Sequence, residues 1–136
     1  MVEFARAHGL RVVASNAPRR YVNRVSRLGP ASLDPLPETA KAFLPPLPYP
    51  GPSEAYTVKW NALMAGMTGP PRPPADSSAA AAPPPQGPPT SHGIGNALYA
   101  QALWDAAMGH AVAAALDAHA GALVVHYVGS FHVAQG

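Results

Sequence analysis

The stretch "ALVVHYVGSFHVAQG" (residues 122–136) decides the fold class that the sequence predicts. It begins with a short apolar run rich in β-branched residues, which is typical of a buried β-strand. Gly129 then permits a sharp turn, and His132 follows three residues later. We therefore predict a strand over residues 122–128 that runs directly into a Gly-x-x-His turn.

A second run of the same kind, "LRVVAS" (residues 10–15), lies near the other end of the chain. Helix-type patterns occupy residues 1–9, 16–29, 38–44, 53–67 and 96–121. Strands separated by long helical crossovers indicate a parallel sheet. The predicted fold class is therefore α/β, with a partial parallel sheet flanked by helices.

Within the helix predicted at residues 16–29, the apolar residues Tyr21 and Val25 share one face, while Arg20, Arg24 and Arg27 share the opposite face. Asn16 is a suitable cap for its beginning, and Gly29 closes it. In the same way, Ser53 is the predicted cap of the helix that follows.

Proline divides the chain. Of the 136 residues, 18 are proline, and the Pro/Ala-rich segment over residues 68–95 is of low complexity. Such a segment cannot bury enough apolar surface to offset its ordering entropy, so we predict a disordered or polyproline insertion there. Residues 1–67 and 96–136 are then the N-terminal and C-terminal parts of one domain.

Composition excludes several kinds of site. The chain has no cysteine, so disulfides and thiolate metal sites are ruled out. The net charge of +2 is too small to indicate nucleic-acid binding, and no apolar stretch is long enough to span a bilayer. Charged residues make up only 12% of the chain, which suggests a protein that packs against neighbouring surfaces. The sequence leaves the cellular compartment open.

The predicted topology places a candidate site at one edge of the sheet. In open parallel sheets, ligands bind beyond the carboxyl ends of the strands. Both predicted strands end in polar segments, which would bring Asn16, Arg19 and His132 to the same edge. Each residue also has a structural alternative: Asn16 as a helix cap, Arg19 as a solvated first-turn residue, and His132 in a local contact.

A second candidate group lies on the alanine-rich helix over residues 96–121. Gln101 and Asp105 are four residues apart and share a face, with Trp104 beside them. An acid in so charge-poor a helix is either buried with a partner or part of a site. Arg19 or the His132 imidazole could be that partner; the alternative is an exposed Asp105 beside a core tryptophan.

Four segments of the chain, taken in order, resemble a known family: "VVASNAPRRYVNRVSRLG", "YPGPSEAY" with the tryptophan and "ALM" that follow it, "AQALWDAAMGHAVAAAL" and "GALVVHYVGSFHVAQG". They are similar to the ChaN family of haem-binding uptake proteins, within the Tiki superfamily. The resemblance implies an α/β fold, and iron uptake through haems that are paired inside a homodimer, with a tyrosine on the iron. By position in these motifs, it implies a haem site made of Asn16, Arg19, Tyr21, Gln101, Asp105, Gly129 and His132.

The resemblance leaves the iron ligand open between Tyr21 and His132, with Tyr99 as a second tyrosine candidate. It also implies an acidic and histidine-containing strand ahead of Met1 and a continuation after Gly136, so we expect the chain to be a fragment. Two alternatives to haem binding follow. One is a degenerate remnant without ligand activity, and the other is a hydrolase dependent on a divalent metal ion, as in the wider superfamily. Haem binding without enzymatic activity is the function we expect.

Overall fold

The computed structural model describes residues 1–67 and 95–133. The described helices are α1 (Val2–Ala7), α2 (Arg19–Leu28), α3 (Glu38–Lys41), α4 (Glu54–Met67), α5 (Ala97–Ala118) and α6 (Ser130–Val133), with a 3₁₀ helix at Pro30–Leu33. None of these helices is long and apolar enough to cross a membrane. Apart from Gly95, the predicted insertion over residues 68–95 lies outside the described residues.

The helices predicted from the sequence are confirmed, and so are two of their boundaries. The backbone N–H of Tyr56 donates to the Ser53 hydroxyl at 3.2 Å, as expected for a cap of α4. Gly29 ends α2 with φ of 81°, a conformation that glycine adopts without strain. The capping role predicted for Asn16 is wrong, because α2 begins after Pro18 and no side chain caps it.

The predicted parallel sheet is wrong: no β-strand occurs in the part of the chain that the structure describes. Residues 10–15 and 122–128 do lie near each other, since the Arg11 side chain contacts His119 and Ser15 Oγ lies 3.4 Å from His126 Nε2. The order of these contacts means that both segments run in the same direction. No backbone hydrogen bond joins them among the described residues.

The physical reason is a lack of partners for these two segments. Parallel strands are stable when both faces of their sheet are covered, and a pair of strands alone is marginal in water. Here most apolar side chains of both segments face solvent, and Leu123 is 89% exposed. Residues 10–15 and 122–128 therefore have the composition of strands, but no described element covers them as a stable sheet would require.

The core lies instead between α2, α5 and the loop that joins α2 to α4. Val25, Leu33 and Leu103 are completely buried at its centre. Leu44 and Tyr49 close it from the proline-rich loop, and the Tyr49 hydroxyl donates to the backbone carbonyl of Tyr99 at 2.9 Å. This packing holds α5 in place and so fixes the helix face that carries the candidate site.

Candidate functional site

A cluster of hydrogen-bonded side chains joins α4, α5 and α6. The Asp105 carboxylate on α5 accepts two hydrogen bonds, one on each oxygen. His132 Nδ1 on α6 donates one of them, and the Tyr56 hydroxyl on α4 donates the other. Because an ionised carboxylate only accepts, the proton of a neutral His132 ring lies on Nδ1, and Nε2 is the nitrogen that can accept a hydrogen bond or bind a metal.

Gln101 completes the cluster. Its amide nitrogen lies 3.2 Å from His132 Nε2 and donates to it. Gln101 and Asp105 are one helical turn apart, so they project from the same face of α5. Leu103 and Ala107 on the opposite face are buried in the core, which fixes the rotation of the helix. The arrangement of the polar face therefore follows from the packing of the apolar one.

His132 reaches Asp105 through a tight turn. The His132 backbone N–H donates to the Gly129 carbonyl at 3.0 Å and begins α6. Gly129 does not have a positive φ, in contrast to Gly29. A Cβ added at Gly129 would lie 3.8 Å from His132 Cδ2, which is ordinary van der Waals contact. The turn is present as predicted, but it does not depend on the conformational freedom of glycine.

Tyr56 stays a neutral phenol in this cluster. Burial is the main factor that raises the pKa of its hydroxyl above the ordinary value of 10, and the hydrogen bond to Asp105 together with the charge of that carboxylate raises it further. A hydrogen bond from Gln101 acts in the opposite direction. Tyr56 therefore serves as a hydrogen-bond donor that holds Asp105, and it is poorly suited to bind iron as a phenolate.

The Phe131 ring packs edge-on against the His132 imidazole and connects it to two rings of α4. Phe131 meets Tyr56 edge-on with ring centroids 5.5 Å apart, and it meets Trp60 in the same way at 6.0 Å. Lys59 Nζ lies 4.6 Å from the centroid of the Phe131 ring, in cation–π contact. The cluster thus offers a nitrogen donor, apolar ring surface and a cation within one small area.

Of the residues predicted for the site, the structure brings together Gln101, Asp105 and His132, with Gly129 at the start of the turn. The partner of Asp105 is His132, one of the two that the sequence indicated. Asn16 and Arg19 are exposed, and neither makes a hydrogen bond or ion pair with the cluster among the residues described. They do not share a sheet edge with His132, because residues 1–67 and 95–133 form no sheet.

Tyr21 lies elsewhere as well. Its ring is buried in the core, and the guanidinium of Arg20 stands 4.8 Å from the ring centroid. Tyr99 is part of α5, where its carbonyl accepts from Tyr49. The proposed role of Tyr21 on iron thus stays a prediction, and it concerns a position outside the Asp105–His132 cluster.

Tyr56 was not predicted as a site residue. Tyr56 and Trp60 are four residues apart and so share a face of α4, but helical spacing does not show which neighbouring helix that face meets. Phe131 is a residue that the sequence suggests for a haem face, and the structure adds its contacts with two rings of α4. A search for a second donor to Asp105 could have pointed to Tyr56.

Comparison with protein families decides the identification. A family profile described as "Haem-binding uptake, Tiki superfamily, ChaN" matches residues 1–136. The chain belongs to this ChaN family. No curated protein and no solved structure matches it. The resemblance seen in the sequence is therefore confirmed, although the α/β architecture that it implied is absent from the described residues.

The donor set of this ChaN chain fits an iron-porphyrin. His132 Nε2 is an imidazole nitrogen whose opposite Nδ1–H is held by a carboxylate, an arrangement that fixes ring orientation and raises the basicity of a ligand. The described residues provide fewer suitable ligands for a divalent-metal centre. No group of three or more histidine and carboxylate side chains converges anywhere in residues 1–67 and 95–133.

Proposed function

We propose that this ChaN-family chain binds haem, and that His132 Nε2 would hold the iron. The observation that carries the proposal is the hydrogen bond from His132 Nδ1 to Asp105, which makes Nε2 the ring nitrogen that can coordinate a metal. The His132 side chain is 18% exposed, so the imidazole can be reached from solvent after a small movement of Gln101. Bound haem would supply an iron centre for uptake or transfer.

Asp105 and Tyr56 act behind the imidazole. Asp105 keeps the proton on Nδ1 and holds the ring in one orientation, and Tyr56 holds the second oxygen of Asp105. Gln101 occupies Nε2 in the absence of iron, through a neutral hydrogen bond of 3.2 Å. A neutral hydrogen bond of this kind contributes about 1 kcal/mol, which coordination to iron readily exceeds.

Ring surface and charge support the same proposal. Phe131 and Trp60 provide apolar surface for a porphyrin face. The ammonium group of Lys59 lies beside them and is suited to a propionate. These side chains would hold one face of the haem, and a second copy of the chain, as in the homodimer implied by the family, would supply side chains to the other.

A hemin titration followed by the Soret band tests this proposal. We expect a saturable shift for the wild type and its loss in His132→Ala. The matched control is His110→Ala, since His110 is an exposed histidine on α5 outside the cluster; it should keep the wild-type shift. An equal loss in both variants, or no saturable shift in the wild type, contradicts the proposal and favours the remnant without ligand activity.

Tyr21→Phe separates the two candidate iron ligands. If His132 is the axial ligand, Tyr21→Phe keeps the position of the Soret band, and any loss of affinity follows the loss of core stability. A Soret shift in Tyr21→Phe together with an unchanged spectrum in His132→Ala would assign the iron to the tyrosine. Sedimentation with and without hemin tests the dimer, which should form only with hemin present.

A further inference from the structure

The exposed face of α2 carries an arginine groove, defined here as the surface lined by Arg20, Asn23, Arg24, Arg27 and Leu28. Its volume is about 350 Å³, within the range of small-molecule sites. No acidic side chain lines it. The groove shares no residue with the Asp105–His132 cluster, and the proposed haem site makes no use of it.

The three arginines stand next to one another on one helix face. Arg20 and Arg24 are separated by one turn, and Arg27 follows three residues after Arg24, so their charges repel. None of them forms an ion pair with a carboxylate in the part of the chain that the structure describes. This concentration of unbalanced positive charge is unusual in a chain with a net charge of only +2.

Two of the guanidinium groups are held in place. Arg24 Nε donates to the Ser32 carbonyl at 2.8 Å, which orients its remaining N–H groups without neutralising the charge. The Arg20 guanidinium lies over the Tyr21 ring at 4.8 Å and near the Phe43 ring at 5.9 Å. Arginines held in this way lose little side-chain freedom on binding, which favours recognition of an anion.

We propose that the arginine groove binds a ligand with two or more clustered phosphate groups. Phosphate oxygens match the fork of N–H donors on each guanidinium, and two linked phosphates can contact Arg24 and Arg27 together. The concave shape and small volume favour a compact oligophosphate over an extended polyanion. The same chemistry is found in soluble phosphate compounds and in the headgroup of a phosphoinositide lipid.

Calorimetric titration with sodium tripolyphosphate tests the proposal. We expect saturable binding that weakens with added salt. Arg24→Gln and Arg27→Gln should each reduce affinity about tenfold, because each removes a charge-assisted contact. Arg6→Gln is the control, since it removes the same charge from exposed α1 outside the groove; its affinity should stay within about twofold of the wild type. Circular dichroism of each variant verifies that the helices are kept.

Vesicles of phosphatidylcholine with and without phosphatidylinositol bisphosphate identify the source of the phosphates. Binding to the phosphoinositide vesicles that tripolyphosphate displaces supports the proposal with a lipid headgroup as ligand. Tripolyphosphate binding without vesicle binding supports it with a soluble ligand. The proposal is overturned if tripolyphosphate does not bind saturably, or if Arg6→Gln weakens binding as much as the two groove variants do.

Discussion

Two regions of this chain are both rich in apolar residues, but only one of them forms a core. The packed region, formed by α2, the 3₁₀ helix, the loop to Tyr49 and α5, contains the completely buried Val25, Leu33 and Leu103. The flanking region, formed by α1 and residues 10–15 and 122–128, contains no buried residue. The difference shows that apolar residues form a core only where a second apolar surface packs against them.

The candidate site joins these two regions. Gln101 and Asp105 are fixed by the packed region, whereas His132 follows directly on residues 122–128. The hydrogen bond between Asp105 and His132 is therefore a link between a rigid helix and a segment with few contacts of its own. Ligand affinity should depend on this link more than on the packing of the flanking segments.

The largest expected effect comes from opening the packed region. Leu103→Ala removes a side chain that is completely buried between α5 and α2. We expect it to lower the free energy of unfolding by about 2–5 kcal/mol, because it loses apolar burial and leaves a cavity. Urea denaturation followed by circular dichroism measures this change.

Val125→Ala is the matched variant in the flanking region, where Val125 is 64% exposed. It should change the free energy of unfolding by less than about 0.5 kcal/mol. Similar losses for Leu103→Ala and Val125→Ala would mean that residues 122–128 are covered in solution, and the contrast between the regions would fail.

The sequence predicted the elements of the packed region well for a physical reason. Helical periodicity and caps are local signals, so α2 and α5 could be found from spacing and from residues such as Gly29. A sheet depends on partners distant in the chain, and no local signal in residues 10–15 or 122–128 shows whether those partners are present. The α/β prediction was wrong at this step.

The next largest effect concerns the hydrogen bond between Asp105 and His132. Asp105→Asn keeps the size of the side chain but weakens the hold on His132 Nδ1. We expect hemin affinity to fall about 10- to 100-fold, the usual cost of losing the carboxylate behind a metal-binding histidine. A hemin titration of the variant measures this.

Asp117→Asn is the control for charge, because Asp117 is an exposed acid on the same helix. Its hemin affinity should equal that of the wild type. If Asp105→Asn binds hemin as tightly as Asp117→Asn does, His132 does not need the carboxylate, and the two regions are not coupled through it.

Alanine substitutions at two glycines, one in the packed region and one next to the flanking region, should have smaller effects on stability. Gly29→Ala should cost about 1–2 kcal/mol of stability, since alanine is strained at a φ of 81°. Gly129→Ala has no such strain and only ordinary contact with His132, so its stability should stay within about 0.5 kcal/mol of the wild type. Thermal or urea unfolding measures both. Equal losses would show that the turn before His132 is as tightly constrained as the packed region.

The site was predictable only in part. Helical spacing placed Gln101 and Asp105 on one face, and the need of an acid in a charge-poor helix for a partner pointed to Arg19 or His132. The contribution of Tyr56 depends on how α4 meets α5, which spacing along one helix does not contain. Asn16 and Arg19 were included because the predicted sheet would have brought them to the same edge as His132. The described residues form no such sheet, so nothing places these two residues in the cluster.

The smallest expected effect is a pH dependence of the packed region. Burial is the main factor that raises the pKa of the Tyr49 hydroxyl to about 12, with a further contribution from Tyr99. Its ordinary value is 10. A raised pKa in the folded state means that the neutral phenol favours folding. This contribution is complete below about pH 10 and is lost as the pH rises toward 12.

Tyr49→Phe isolates that contribution. At neutral pH the variant should lose about 1 kcal/mol, because the Tyr99 carbonyl is left without its donor. Between pH 10 and 12 its stability should then fall less steeply than that of the wild type, as urea denaturation across this range would show. Tyr127→Phe, at an exposed tyrosine of the flanking region, should follow the wild-type curve throughout. If Tyr49→Phe and Tyr127→Phe have the same pH dependence, the Tyr49 hydroxyl is accessible to solvent, and the packed region ends before Tyr49.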